Sequence, residues 1–194
     1  MAIALSVERR VGRVIDTLAK WMAYGGGFVL TFMALMTVVS IIGRILTGIG
    51  LGPVPGDYEM VANGCAIAVF SFLPYCQLHR GHVTVDIVTV NFPQRAQAFF
   101  GLVGDILVAG FALVVFRQLW SGFGEKFPYG SDALREALDM GYKPFFAETT
   151  YELEIPFWIP YGVALVGALM FAIVGVYTVW RSLNWFIDGK EGAV

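Results

Sequence analysis

The sequence predicts an all-α membrane protein, and three observations support this class. Four apolar runs each approach the roughly 20 residues that a helix needs to cross the hydrocarbon core of a bilayer. Hydrophobic residues make up 57% of the chain and charged residues 14%, a balance that soluble domains do not have. The runs lack the alternating pattern of barrel strands, so helices remain as the spanning structure. The four predicted spans are 21–42, 60–78, 98–119 and 157–180.

Residues 1–20, which precede the first span, are predicted to form an amphipathic helix lying on the membrane surface. The apolar positions recur at helical spacing while Arg9, Arg10 and Arg13 lie elsewhere around the helix. An ordinary basic flank of the first span is the alternative interpretation. The membrane domain then covers residues 21–182, and residues 183–194 are predicted to form a tail.

The distribution of lysine and arginine predicts the orientation of the chain. Basic residues flank the N-terminus, the loop after the second span and the C-terminus, so these three parts are predicted to be cytoplasmic. The loops 43–58 and 120–156 then face the opposite compartment. The second of these loops is long and acidic. Its section 131–138 begins with Ser131, a good helix cap, and predicts a short surface helix.

Four charged residues near the outer ends of the first three spans are predicted to meet: Arg44, Asp57, Glu59 and Arg117. Asp57 is predicted to cap the second helix, and Glu59 lies in its first turn, where carboxylates suit the positive end of the helix dipole. Such a cluster would tie three helices together in a region of low dielectric constant. The alternative is that water or lipid headgroups satisfy each charge separately.

Two sets of small residues predict close contacts between helices. Gly25, Gly26 and Gly27 allow another backbone to approach the first span, although they lower its helix propensity. The fourth span carries alanines at four-residue spacing, which predicts a flat docking face. These alanines are Ala164, Ala168 and Ala172.

Asp105 lies within the third span, where an unpaired carboxylate is costly and therefore suggests a functional role. The alternative is a protonated or hydrogen-bonded packing residue, reached from Gln77 or from a neighbouring subunit. The two histidines, His79 and His82, stand in one loop, and a structural or interfacial role is favoured there over a metal or haem. No catalytic residue, metal site or cofactor is expected on this chain.

Four features together carry a resemblance to a known family. They are the basic amphipathic segment 1–20, the acidic start Asp57-Tyr58-Glu59 of the second helix, the loop 78–86 with the sequence Leu-His-Arg-Gly-His-Val-Thr-Val-Asp, and residues 153–158 at the start of the last helix. His82 and Asp86 align with the family's loop motif. On these residues the chain resembles the small integral-membrane subunit of tripartite ATP-independent periplasmic (TRAP) transporters, the DctQ-like family.

The resemblance implies a heteromeric secondary transporter in the bacterial inner membrane. A large DctM-like membrane subunit would hold the substrate and sodium sites, and a periplasmic DctP-like binding protein would deliver an organic acid. The small subunit would scaffold the large one, with membrane lipid as a further ligand, and would bind neither substrate nor nucleic acid. The residues agree with this division, because the four spans supply no pair of discontinuous helices for an ion site.

Two other classes of protein remain as alternatives. A haem-binding anchor of a respiratory enzyme would need axial ligands on facing helices, whereas both histidines lie in one loop. A self-contained small exporter would need internal symmetry and a polar pathway, and Asp105 is the sole deep charge in the predicted spans.

Overall fold

The structure is a computed structural model that describes residues 5–80 and 93–188. The predicted all-α membrane class is confirmed, since four of the described helices are long and apolar enough to cross a bilayer. The short surface helix predicted near residues 131–138 is also present. The helices are α1 (Leu5–Ile45), α2 (Asp57–Leu78), α3 (Gln94–Lys126), the surface helix α4 (Asp132–Ala137) and α5 (Trp158–Asp188), and a short 3-10 turn, Leu46–Ile49, follows α1.

All four spanning helices are longer than the predicted spans, and α2 exceeds its span by only three residues. α1 runs without a break across residue 20, so a separate interfacial helix at the N-terminus is not confirmed. No proline interrupts this segment, and its positions continue the helical pattern of the span that follows. α3 extends beyond both ends of the predicted span 98–119. α5 continues to Asp188, so the first part of the predicted tail 183–194 is helical.

The four long helices pack as an open row in the order α1, α2, α5, α3. α5 lies between α2 and α3 and is the most buried of the four, whereas α1 and α3 form the edges of the row. α1 contacts α5 only lightly, and α1 and α3 share no comparable packing. We call the end with Asp57, Lys126 and Trp158 the outer end, following the predicted orientation, and the opposite end the inner end.

Two apolar clusters hold the row together. At the inner half, Ile15 and Ala19 of α1 meet Leu78 of α2 and Val174 and Tyr177 of α5. The second cluster joins α3 to α5. It contains Ala112, Phe171 and Ala172, with Leu73, Val108 and Phe116 packed around them. Apolar side chains on the outward faces of α1 and α3 remain exposed, as expected of helices that meet lipid or another subunit.

The alanine face of α5 is covered by the chain's own helices. Ala164, Ala168 and Ala172 are almost fully buried within the row. On the same helix, a Cβ atom at Gly167 would lie 2.6 Å from the carbonyl oxygen of Phe70, so α2 and α5 touch backbone to backbone. The predicted docking face is therefore used inside the subunit, between α5 and its neighbouring helices.

The three consecutive glycines of α1 divide between two environments. Gly26 faces α2, because a Cβ atom there would lie 2.9 Å from Cβ of Ser71 and 3.2 Å from the carbonyl oxygen of Ala68. Gly25 and Gly27 have open space around them. Gly26 therefore permits the close α1–α2 contact. At Gly25 and Gly27 the surface of α1 remains accessible.

Candidate functional site

At the outer end, Arg44 and Asp57 form the ion pair that the sequence predicts. Nη2 of Arg44 lies 3.1 Å from Oδ2 of Asp57, and the hydroxyl of Ser40 donates to the same oxygen. Ser40 in turn accepts from the backbone N–H of Val54 at 3.2 Å, which draws the turn after α1 over the helix end. Asp57 is the first residue of α2, and Gly56 occupies the capping position predicted for it. These contacts tie α1 to α2.

The other two members of the predicted outer cluster lie elsewhere. Arg117 binds Asp139 of the outer loop, with Nη2 2.6 Å from Oδ2, and both side chains are exposed. Glu59 accepts hydrogen bonds from the backbone of the segment before α5. The prediction of one four-residue cluster is therefore wrong, because the long loop supplies closer partners.

Glu59 joins the start of α2 to a hairpin before α5, residues 148–157, in which Thr149 and Pro156 pair in antiparallel fashion. Its carboxylate accepts from the N–H of Glu152 at 2.9 Å and of Leu153 at 3.2 Å. In return, the side chain of Glu152 accepts from the N–H of Gly56, which has a left-handed backbone. A carboxylate of each segment thus accepts from backbone N–H groups of the other segment. The arrangement resembles a helix capping box whose two halves come from distant parts of the chain.

Replacing Glu59 with glutamine is expected to loosen this hairpin, because one of the two acceptor oxygens becomes an amide donor and the charge is lost. Hydrogen exchange at the Glu152 and Leu153 amides should accelerate several-fold. Glu154→Gln, which changes an exposed carboxylate in the same hairpin, serves as the control. Equal exchange rates in the two variants would contradict the role assigned to Glu59.

Arg135 of α4 organises the outer loop from within. It is 3% exposed, and its guanidinium donates to six carbonyl oxygens at 2.6–3.4 Å. These carbonyls belong to Gly124, Phe127, Tyr129, Met140, Gly141 and Tyr142. Ser131 caps α4 as predicted, by accepting from the N–H of Leu134 at 3.4 Å. The loop is therefore a structured platform that packs on the last turns of α3.

At the inner end, Asp105 lies in a buried polar cluster contributed by three helices. Oδ1 accepts from Gln77 of α2 at 3.1 Å. Oδ2 accepts from the hydroxyl of Ser182 on α5 and from Nη2 of Arg80 at 3.3 Å. Gln77 also donates to Thr178 at 3.1 Å. Asp105 is thus a hydrogen-bonded packing residue, and one of its partners is the Gln77 that the sequence suggests.

The position of this cluster along the helices explains why charges are tolerated there. About 20 residues separate Gln77 from Asp57, Asp105 from Lys126, and Thr178 from Trp158. At 1.5 Å per residue each interval is roughly 30 Å, which equals the thickness of the hydrocarbon core. With the outer end at one interface, Asp105 lies near the other, where lipid headgroups and water are close.

The remaining predicted site residues fall into two groups. His82 and Asp86 of the family loop motif lie outside the described residues. His79 is described, and it pairs with Asp16 of α1, with 3.3 Å between Nε2 and Oδ1. Sequence reasoning gave Arg80 no role of its own beyond a basic flank and a place in the loop motif 78–86, and it missed Arg135. A basic residue in the middle of a long loop that is otherwise rich in acids is the signal that could have identified Arg135.

Four membrane-spanning helices in one row, with their described polar side chains tied to one another at the two ends, define a small multi-pass membrane protein. The family model described as "Tripartite ATP-independent periplasmic transporters, DctQ component" matches residues 33–184. The chain therefore belongs to the DctQ family. It is the small membrane subunit of a TRAP transporter and not an enzyme. No curated protein and no solved structure matches the chain.

Membership of this family also indicates the type of partner proteins and the membrane in which the subunit acts. The DctQ component acts in a tripartite system, which implies partners of the DctM and DctP type. Together with the four apolar helices, the family indicates a multi-pass protein of the inner membrane.

Proposed function

We propose that this subunit scaffolds the large DctM-like membrane subunit, which imports an organic acid with sodium after delivery by a DctP-like binding protein. The row of helices would widen the immobile frame of the large subunit and hold it in the bilayer while a transport domain moves. Both termini would lie in the cytoplasm. The observation that carries this proposal is the open row, whose edge helices leave long apolar faces without a partner among the described residues.

We assign the contact with the large subunit to one exposed line of side chains on α1, here called the α1 seam. Its members alternate at spacings of four and three residues, and every described side chain among them is at least half exposed. The seam consists of Val14, Leu18, Trp21, Gly25, Phe28, Phe32, Leu35, Val39 and Ile42. This spacing suits left-handed packing of one spanning helix on another.

Gly25 gives the α1 seam a shape that a partner helix can use. It has open space around it and stands between Trp21 and Phe28, two large and well exposed side chains. A notch between two bulky groups accepts a side chain from a facing helix, which is the knobs-into-holes arrangement. The exposed line of α3 is less uniform, because Arg117 and Gln118 interrupt it towards the outer end. The α1 seam is therefore the better candidate for a long helix contact.

Filling this notch should weaken the complex while leaving the isolated subunit intact. Gly25→Leu is expected to lower recovery of the large subunit in a tagged purification about tenfold, since overpacking an interface costs roughly 1–3 kcal/mol. Gly104→Leu on α3 is the matched control, because Gly104 also has open space around it. Equal recovery with both variants would show that the contact lies elsewhere.

Transport by reconstituted proteins tests the scaffold role itself. Liposomes should contain the large subunit alone or with this chain, and each sample should receive the binding protein, substrate and a sodium gradient. Uptake is expected to need both membrane subunits. Equal uptake without this chain would exclude the scaffold role, and uptake by this chain alone would support the exporter alternative.

The outer surface is proposed to help seat the binding protein. The platform held by Arg135 presents Tyr142 and Phe145, whose side chains are 91% and 99% exposed. Aromatic groups on a structured loop are suited to contacts with another protein, because the backbone that carries them is already ordered and binding does not have to order it.

A further inference from the structure

Three consecutive residues at the inner end of α2, Leu78, His79 and Arg80, are held by side chains from the three other long helices. The carbonyl oxygen of Leu78 accepts from Nη2 of Arg181 on α5 at 2.9 Å. His79 pairs with Asp16 of α1, and its ring lies 4.2 Å from that of Tyr75. Helix ends leave carbonyl groups without intrahelical donors, so side chains from neighbouring helices can satisfy them. The end of α2 is therefore bound by α5 at Leu78 and by α1 at His79.

Arg80 completes this arrangement by turning back into the row. Its Nη2 lies 3.3 Å from Asp105 Oδ2 on α3 and 3.1 Å from the hydroxyl of Ser182 on α5. The guanidinium also lies over the ring of Trp185, 5.0 Å from the ring centre. A cation over an indole ring and beside a carboxylate is doubly stabilised. One side chain after the end of α2 thus contacts both α3 and α5.

The backbone of Arg80 shows that this position is special. Its φ angle is 49°, in the left-handed region that the residue after a helix usually fills with glycine. A residue with a Cβ atom adopts this conformation at a cost, and the next residue, Gly81, is the one that would adopt it freely. At the left-handed position the chain has arginine and not glycine. The side-chain contacts of Arg80 compensate for the conformational cost of its backbone.

We propose that Asp105 is a positioning residue that acts through Arg80. By holding the guanidinium inside the row, Asp105 sets the point and direction in which the chain leaves α2 for the inner loop. Every described neighbour that hydrogen-bonds to Asp105 can serve as a donor, which is the environment of a carboxylate acting as acceptor. This role differs from proton transfer and from binding a transported ion. It does not depend on the scaffold role proposed above.

The two native cysteines of α2 provide a test of this proposal. Cys76 lies one turn before Arg80 and is partly buried, whereas Cys65 lies 11 residues nearer the outer end and is exposed. Alkylation of Cys76 by a maleimide is measured in the full chain carrying Cys65→Ala. Asp105→Asn and Arg80→Gln are each expected to raise this rate at least about tenfold, because each breaks an ion pair that is largely removed from solvent. The double variant should react no faster than the faster single variant, because the two residues act as one pair.

Two controls separate positioning from general loss of structure. Asp139→Asn makes the same chemical change in an exposed ion pair and should leave the Cys76 rate unchanged. In chains carrying Cys76→Ala, the alkylation rate of Cys65 should not respond to Asp105→Asn. A Cys76 rate within twofold of the parent in Asp105→Asn would overturn the proposal. Equal increases at both cysteines, or strictly additive effects of the two substitutions, would overturn it as well.

Discussion

Replacing Arg135 with alanine is expected to release the outer loop from α3. Six carbonyl oxygens lose their common donor, and most of them lie in a part of the chain that has no regular secondary structure to replace it. Unsatisfied buried polar groups and lost charge-assisted hydrogen bonds together should cost about 3 kcal/mol or more. Rapid proteolysis between residues 127 and 157, with the four long helices still intact, is the expected result.

Two further variants make the test of Arg135 specific. Arg135→Lys keeps the positive charge but offers one compact donor group in place of the planar fork, so it should restore protection only in part. Arg117→Ala removes an exposed arginine that binds the same loop and should change protease resistance little. If Arg117→Ala were as damaging as Arg135→Ala, the loop would depend on surface ion pairs and not on the buried guanidinium.

Replacing Gly167 with leucine is expected to separate α2 from α5 at the centre of the row. Even a single Cβ atom there would lie 2.6 Å from the oxygen and 2.8 Å from the carbon of the Phe70 carbonyl. Because these neighbours are backbone atoms within a helix, they cannot move aside by changing a rotamer. Overpacking of this kind should cost about 3 kcal/mol or more, measured by titrating the purified subunit with SDS.

Gly104 provides the matched control for Gly167. It lies in the interior of α3, but a Cβ atom there meets nothing within 4 Å. Gly104→Leu should therefore leave stability unchanged or raise it slightly, because a helical glycine is unfavourable in itself. A comparable loss of stability in both variants would mean that backbone entropy, and not the α2–α5 contact, governs these positions.

The sequence predicted the elements of this fold better than their ends. Apolar length identified all four spans, and Ser131 correctly marked the surface helix. The sequence did not indicate the full length of α1, because Arg9, Arg10 and Arg13 suggested a change of environment at residue 20. A change of environment does not interrupt backbone hydrogen bonding, so the helix continues through it.

The contact partners of individual residues were harder to predict than the helices themselves. Small residues such as Ala168 indicate that another backbone comes close, but they do not say whether that backbone belongs to the same chain. In the same way, Arg117 and Glu59 were correctly placed at the outer end, yet the partners of both came from the loop before α5. The positions of loop atoms depend on the folded chain as a whole, which local patterns do not encode.

The continuous α1 gives the subunit a mechanical property. Its 41 residues span about 62 Å, twice the thickness of the hydrocarbon core. If such a rod pivots by 10° at its outer end, its N-terminal tip travels roughly 10 Å. That tip is fastened to α5 where Glu8 binds Asn184 and Tyr177. Since α1 also packs along α2, a tilt imposed at one face of the membrane is expected to move α2 and the inner end of α5 with α1 and to reach the opposite face as a coordinated displacement.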